Sequence, residues 1–341
     1  MTKTAGIIGG GIGGLAAAIA LSRNGWQVTV HERQTCTPSA GTALGIWPAA
    51  LRALDELGVG GRVRQEGLPQ QSGELRRPDG SRIVTMDVAR LERRLGERIH
   101  LISRPALLTI LREAAEEGCE LRFGEVVTEA LPDDLVVAAD GVFSQTRERL
   151  FGEGYRARYA GSTAWRGVID ELPTGAFAEV WGAGVKFGIT PHENGGTNWF
   201  ASAALPEGAF RAGGELDALR ETFGRWTDPA VVRVLGALAE EGILRHDIYV
   251  TPRLASYVVG NVVLIGDAAH AMPPDIGRGA CEAIIDAASL GRGGPVAYDR
   301  DRRRTTQRLA RMAGAASWLT RQRHGVPLRD GLLKAALGSA R

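Results

Sequence analysis

Cysteine and lysine are the scarce residues of this 341-residue chain. The three cysteines, Cys36, Cys119 and Cys281, stand far apart and form no CxxC pair, so neither a disulfide framework nor a cysteine-built metal site has a basis. A reducing compartment, the cytoplasm, is the expectation. Of 41 basic residues only Lys3, Lys186 and Lys334 are lysines, which leaves 38 arginines. That bias, beside abundant Ala and Gly, fits codon composition better than phosphate recognition. The formal net charge of +2 gives no reason to expect nucleic acid or an anionic membrane as partner. No apolar run reaches the length of about 18 residues that a membrane span requires. The histidines are scattered and suggest no metal centre or catalytic triad. What remains, 44% hydrophobic and 23% charged, is an ordinary globular composition that can bury a large core in one domain or two.

Glycine is not scarce, and it concentrates at the start. Gly6 to Arg33 reads GIIGGGIGGLAAAIALSRNGWQVTVHER. Lys3 and Ala16–Ala20 imitate a secretory leader, but glycine fills the would-be apolar core and the pattern runs on into a further element. The spacing predicts a strand over Thr4–Ile8, a helix over Gly13–Asn24 stopped by Asn24–Gly25, and a strand over Gln27–Glu32. Gly9, Gly11 and Gly14 form GxGxxG between the first two, with Gly13 beside them. The first glycine permits the turn, the second the approach of a pyrophosphate, and the third close helix–strand packing. Glu32, followed by Arg33, ends the second strand 18 residues beyond Gly14, where a carboxylate can accept from an adenosine ribose. Strand, glycines, helix, strand and acid in that order predict a dinucleotide seat. FAD and NAD remain equal choices at this point.

The far end of the chain repeats the strand–turn–helix theme without GxGxxG. Asn261 to Leu290 reads NVVLIGDAAHAMPPDIGRGACEAIIDAASL, a strand over Asn261–Gly266, then Asp267, a proline turn, and a helix over Ala280–Leu290. This segment resembles the GD motif of class A flavoprotein monooxygenases, the para-hydroxybenzoate hydroxylase-like family. A strand over Asp134–Ala139 runs into DGVFSQTR, which resembles the family's DG motif. Arg104 in ISRPALLTIL is similar to the family's phosphate-contacting arginine. Gly41–Gly58 resembles the stretch beside the flavin, and SAGTALGIWPAAL and STAWRGVI look most like salicylate-hydroxylase and zeaxanthin-epoxidase relatives. The resemblance implies an α/β chain with a Rossmann-like FAD-binding domain and an inserted, sheet-rich substrate domain. It implies tightly but non-covalently bound FAD, contacted from Gly9, Gly11, Gly13, Gly14, Glu32, Arg33, Gly45, Arg104, Asp140, Gly141, Arg147, Gly266, Asp267, Pro274, Gly277, Gly279 and Ala280. The Asp267 turn would serve the ribityl chain, and the following helix would turn its positive end to the pyrimidine edge. Arg278 stands where the family carries glutamine.

On this reading residues 1–68, 99–155 and 250–341 form the FAD domain, and residues 69–98 and 156–249 the substrate domain. A hairpin is predicted within Ser72–Asp87 around Pro78–Gly80, strands in STAWRGVI, GAFAEVWG, VKFGIT and TNWFASAA, and helix over Gly214–Gly236. The family's meander is reduced to GEVVTEALPDD, so the chain reads as a compact member. RDRRRTTQRLAR, Arg300–Arg311, reads as the solvated face of a helix rather than a nucleic-acid patch. The implied activity is NAD(P)H- and oxygen-dependent hydroxylation or epoxidation of an aromatic or unsaturated small molecule through a flavin hydroperoxide, with NAD(P)H bound only transiently because no second nucleotide-binding unit is visible. A flavin dehydrogenase, reductase or halogenase on the same scaffold is the enzymatic alternative, and a non-catalytic FAD-binding protein the other. No residue stands out as catalytic acid or base. His270 can polarise a substrate or pack beneath the GD turn. Arg278 can meet an acid substrate or reduced flavin, or pair with Asp275 or Glu282; Asp275 can be a base or a turn and capping residue. Arg166 can face the pocket or a structural carboxylate, and Trp47, Trp165, Phe187 and Trp199 can line the pocket or the core.

Overall fold

Three sheets share out the strands of the computed structural model, which describes residues 2–37, 41–175, 177–209 and 213–338. Ser39 and Ala40 of SAGTALGIWPAAL and Ala176 of GAFAEVWG lie outside the described residues. The first sheet runs in the order 258–259, 262–264, 135–138, 4–8, 27–32, 119–123 and is parallel except at its 258–259 edge. Its inner strands 262–264, 135–138 and 4–8 are almost wholly apolar, as a buried parallel sheet requires, while 27–32 (QVTVHE) alternates; Ala5, Ile7, Val28, Val30 and Leu135–Ala138 are all buried. The helix Ile12–Ser22 packs against the long helix Gly279–Thr320 through small side chains. A Cβ added at Gly291 would lie 2.9 Å from that of Ala20, and one at Gly13 would lie 3.3 Å from that of Ala283. The Gly/Ala richness of the opening stretch is thus a close-packing device.

The second sheet has seven strands in the order 244–250, 158–169, 197–203, 185–191, 178–181, 74–76, 82–85. Its alternation gives two different faces. Trp165, Phe187, Trp199 and Ala201 point to one side and form a core with Leu219, Phe223, Val231 and Val234 of two covering helices. Ala164, Arg166, Lys186, Asn198, Phe200 and Ser202 occupy the opposite positions. This second face meets the first sheet's side of the molecule, where Asn198 accepts from the Ala43 amide at 2.8 Å and Lys186 reaches Asp275 at 3.0 Å. A small sheet of Ala43–Ile46, His100–Ser103 and Leu68–Pro69 links the two. Among the described residues no helix is long and apolar enough to cross a membrane.

The expected first strand–helix–strand unit forms, as does the hairpin around Pro78–Gly80. Three details differ. Gly214–Gly236 is not one helix but two, Gly214–Phe223 and Pro229–Ala237, because Pro229 starts a new one and buried Asp228 caps it, accepting from Ala230 and Val231 amides at 2.9 and 3.1 Å. The helix expected over Ala280–Leu290 continues to Thr320 with a kink at Gly294 ahead of Pro295. Arg300–Arg311 lies on it, yet Arg302 is buried between Asp286 and Glu282, so that stretch is not a uniformly solvated face. The final helix, Val326–Gly338, leans on the strand Arg82–Thr85 of the second sheet.

Replacing Asp228 with alanine should cost about 1–2 kcal/mol through the lost cap, read as a lower urea midpoint with an unchanged slope. An unchanged midpoint would show that the proline break alone sets the helix start.

Candidate active site

The site is built where three turns meet at one end of the first sheet. Gly9 leaves the strand at φ 103°, and a Cβ there would lie 2.5 Å from the Ala139 carbonyl oxygen. At Gly14 a Cβ would come within 1.9 Å of the Gly9 carbonyl oxygen, so both positions tolerate only glycine. Gly11 differs. It caps the first helix, and nothing lies within 4 Å of a Cβ placed there. Its backbone faces open space at the positive end of a helix, a fitting cradle for a diphosphate. Glu32 braces this loop by accepting from the Gly10 amide at 2.6 Å and the Gln34 amide at 2.8 Å, while Arg33 is exposed beside it.

The DG turn follows the neighbouring strand. Asp140 accepts from the Thr146 amide at 3.1 Å with one carboxylate oxygen; the other, Oδ1, is buried without a partner. Gly141 makes the turn, and Ser144 caps the next helix at the Arg147 amide. Arg147 is wholly buried, and its guanidinium donates to the carbonyls of Tyr155, Ala268 and Val142. Those bonds turn it inward, where it ties the DG turn to the GD turn instead of reaching toward an anion. Burial disfavours its charge, and the carbonyls compensate.

The GD turn lies against both. Ile265 donates to the Ala138 carbonyl, and Ala283 sits between Gly13 and Gly266. Asp267 is surrounded by protein yet exposed, the position of a carboxylate at the floor of a cleft. Desolvation raises its carboxyl, partly offset by His270 and Arg104. Beyond the Pro274–Ile276 turn, Gly277 is exposed and Arg278, Gly279 and Ala280 open the long helix, whose N-terminus faces the same cleft; the Gly279 Cβ position is 4.0 Å from Asp267 Oδ1. Gly45 and Trp47 are held to this helix through Cys281, whose thiol donates to the Gly45 carbonyl at 3.2 Å and accepts from the Trp47 amide at 3.4 Å. Arg104, at the start of the helix Arg104–Glu116, has an exposed guanidinium close enough to act on both Asp267 and Arg166.

The ambiguous residues resolve individually. His270 is buried beneath the GD turn with Nε2 2.5 Å from Asp286, a packing and hydrogen-bonding position. Desolvation pulls His270 down, but the Asp286 carboxylate outweighs it and the net shift is upward. Arg278 pairs with Glu282 at 2.6 Å, not Asp275, and lies 5.1 Å from the Trp47 ring centre. Asp275 lies within the Pro274–Ile276 turn, where it takes the buried Lys186 ammonium at 3.0 Å and the Thr320 hydroxyl at 3.1 Å. Trp165, Phe187 and Trp199 belong to the core behind the sheet, and Trp47 alone of the four borders the cleft's helix. The sequence reading missed Lys186, Phe200 and His246. Lys186 had a signal: one of three lysines, set in an alternating apolar strand.

Two substitutions separate the roles of the glycines. Gly14→Ala should unfold the first unit and give insoluble or low-midpoint protein, whereas Gly11→Ala should fold with a normal midpoint and lose cofactor affinity; equal behaviour would contradict the geometry. Asp286→Asn should cost about 3–5 kcal/mol, since it strands buried His270 and Arg302. A raised His270 stabilises below the free imidazole value and loses this as pH rises through its folded value; a lowered Asp286 stabilises above the free carboxylate value and loses this as pH falls. The gap between wild type and variant in urea unfolding should therefore be widest between about pH 4 and 6.5 and narrow on both sides. A gap independent of pH would sink the pairing.

Comparison with known proteins agrees with this geometry. The sequence model of a family described as FAD binding domain matches residues 1–160 and 249–293. The aurachin C monooxygenase/isomerase of Stigmatella aurantiaca is 33% identical over 304 residues, covering 84% of this chain and 79% of that protein. The FAD-dependent urate hydroxylase of Klebsiella pneumoniae is 30% identical over 307 residues, covering 84% and 79%. The crystal structure of Klebsiella pneumoniae HpxO complexed with FAD and uric acid matches with a TM-score of 0.86 at 27% identity, over 99% of this chain and 93% of that one. With a family match over more than half its length, relatives of this identity and an α/β fold of the same kind, the chain belongs to the class A flavoprotein monooxygenases and binds FAD.

Proposed function

We propose that this oxidoreductase takes electrons from NAD(P)H and one oxygen atom from O2 to hydroxylate or epoxidise an aromatic or unsaturated small molecule. The observation that carries the reading is the convergence of the open Gly11 cradle, the exposed Asp267 carboxylate and the N-terminus of the long helix on one cleft. Bound FAD supplies the electron transfer and oxygen delivery; the residues supply position and environment. Gly9, Gly11, Gly13 and Gly14 cradle the diphosphate, with Glu32 and Arg33 at the adenosine end. Arg104 and Asp267 hold the diphosphate and ribityl portion. Gly266, Pro274, Gly277, Gly279 and Ala280 bring the helix N-terminus to the pyrimidine edge, where it favours negative charge. Asp140 and Gly141 complete the wall with the unpartnered Asp140 oxygen, Arg147 holds the two turns together, and Gly45 keeps the adjoining strand in place.

The substrate lies between this cleft and the sheet face bearing Arg166, Lys186 and Phe200. Packing of that face over the cleft keeps water from the reacting atoms. On this reading residues 1–68, 99–155 and 250–341 build the cofactor part and residues 69–98 and 156–249 the substrate part, the last helix leaning on the latter. The relatives named FAD-dependent urate hydroxylase and aurachin C monooxygenase/isomerase support oxygen transfer to an organic small molecule. Free Cys36, Cys119 and Cys281 accord with a cytoplasmic setting.

Anaerobic NAD(P)H should bleach the flavin of the holoprotein and air should restore it, and product formed under heavy-isotope O2 should carry one labelled atom. Label arriving only from water, or a desaturated product without label, would instead mark a dehydrogenase. Asp267→Ala should weaken FAD retention about tenfold or more, consistent with loss of a charged hydrogen-bond partner; full retention would remove Asp267 from the cofactor site.

A further inference from the structure

The formal charge of +2 conceals an uneven distribution. After Asp301 the chain holds ten arginine and lysine residues and a single acid, Asp330. That acid is buried and spent on Arg329 at 2.9 Å and Arg77 at 2.8 Å. Along the second half of the long helix, Arg304, Arg308, Arg311, Ala315 and Trp318 recur at steps of four and three residues, so they form one stripe, and all five are exposed. Arg304, Arg308 and Arg311 make no hydrogen bond or ion pair among the described residues. Beside the stripe lies a groove of about 340 Å³ that takes in Met272, Ala310 and Gly314; its lining has three arginines, Arg253, Arg311 and Arg321, and no acid.

The apolar end of the stripe continues onto the final helix. Four of the nine exposed large apolar side chains among the described residues fall here: Met312 at 51%, Trp318 at 59%, Leu328 at 71% and Leu332 at 60%. Leu328 and Leu332, one turn apart, share the outer side of Val326–Gly338, while Leu333 packs inward on the cluster of Leu75, Ile83 and Val84. Both helices are pinned at one hairpin turn of the second sheet. Arg329 donates to the Gly182 carbonyl at 2.7 Å, and a Cβ at Gly184 would lie 3.3 Å from the Arg321 carbonyl oxygen. A second copy of the chain would set these arginines against their own two-fold mates. A nucleic acid would satisfy the arginines and leave Leu328 and Leu332 in water. An anionic bilayer answers both, with phosphates for the arginines and the acyl boundary for Trp318, Leu328 and Leu332. We infer that this C-terminal face docks the protein on an anionic lipid surface, lying on the bilayer without crossing it.

The test mixes FAD-loaded protein with sedimentable vesicles of phosphatidylcholine, alone or with about 30% phosphatidylglycerol to give the surface charge that attracts basic segments. Wild type should pellet with the anionic vesicles and stay in solution with the neutral ones, and raising NaCl from about 0.1 to 0.5 M should release part of it. Joint Leu328→Ser and Leu332→Ser should weaken partition about tenfold or more. Arg304→Gln, Arg308→Gln and Arg311→Gln should weaken it about fivefold per charge. FAD content and urea midpoint should stay unchanged in both sets, because the substituted side chains are exposed. Lipids brominated along the acyl chain should quench the tryptophan fluorescence of wild type and not that of Trp318→Phe, a readout that stands even where the serine pair fails to fold. Wild type that ignores anionic vesicles overturns the inference, as does quenching that persists in Trp318→Phe. Binding to duplex DNA as tight as to vesicles, untouched by the serine pair, assigns the face to nucleic acid. A lipid-free dimer that the serine pair dissolves assigns it to a second copy, and either result overturns the docking.

Discussion

One buried carboxylate fixes the geometry of the cleft. Asp286 takes the Gly266 amide at 3.1 Å, the His270 imidazole and the Arg302 guanidinium, the last at 2.8 Å. Through these bonds the turn bearing Asp267 is pinned to the long helix whose N-terminus it faces. Arg302 passes on to Glu282, and Glu282 to Arg278 beside Trp47. The chain of alternating charges therefore runs from beneath the GD turn to the cleft's edge with every charge partnered. Breaking one member of such a chain costs more than any member contributes alone, because a charge is left buried. Arg147 does the corresponding task on the other side by spending its donors on carbonyls of the DG and GD turns.

Charge is distributed by function across the second sheet. Its rear face is aromatic core, with Trp165 further fixed by a 2.6 Å bond to Glu215. Among the described residues, Lys186 on its front face is paired with a carboxylate, while Arg166 reaches only His246 and has Arg104 close by. The polypeptide's contribution is orientation, a dry wall and a few fixed charges.

Much of the first sheet and its turns was legible in sequence because its constraints are local. GxGxxG needs glycine for backbone clearance, and the clearances at Gly9 and Gly14 bear that out. The opening strand and helix follow from apolar runs and small residues over a dozen positions. The second sheet was less legible, since its important facts are pairings between distant strands. Nothing near Asp275 in sequence announces that Lys186, 89 residues earlier, neutralises it. Likewise Trp165 and Arg166 are neighbours in one motif, and only strand register tells which faces core and which faces cleft. The helix over 214–236 failed locally for a readable reason, the Asp228–Pro229 cap. Arg147 illustrates the opposite hazard: a motif arginine whose family resemblance suggested the cofactor is occupied by backbone.

The most direct measurement is a crystal structure of the chain with FAD. The account predicts one FAD per chain, its diphosphate over Gly11, its ribityl chain at Asp267, and its ring system between the Gly277–Ala280 turn and the face bearing Arg166. A diphosphate bound away from Gly11, or a ring system on the far side of the long helix, would contradict it.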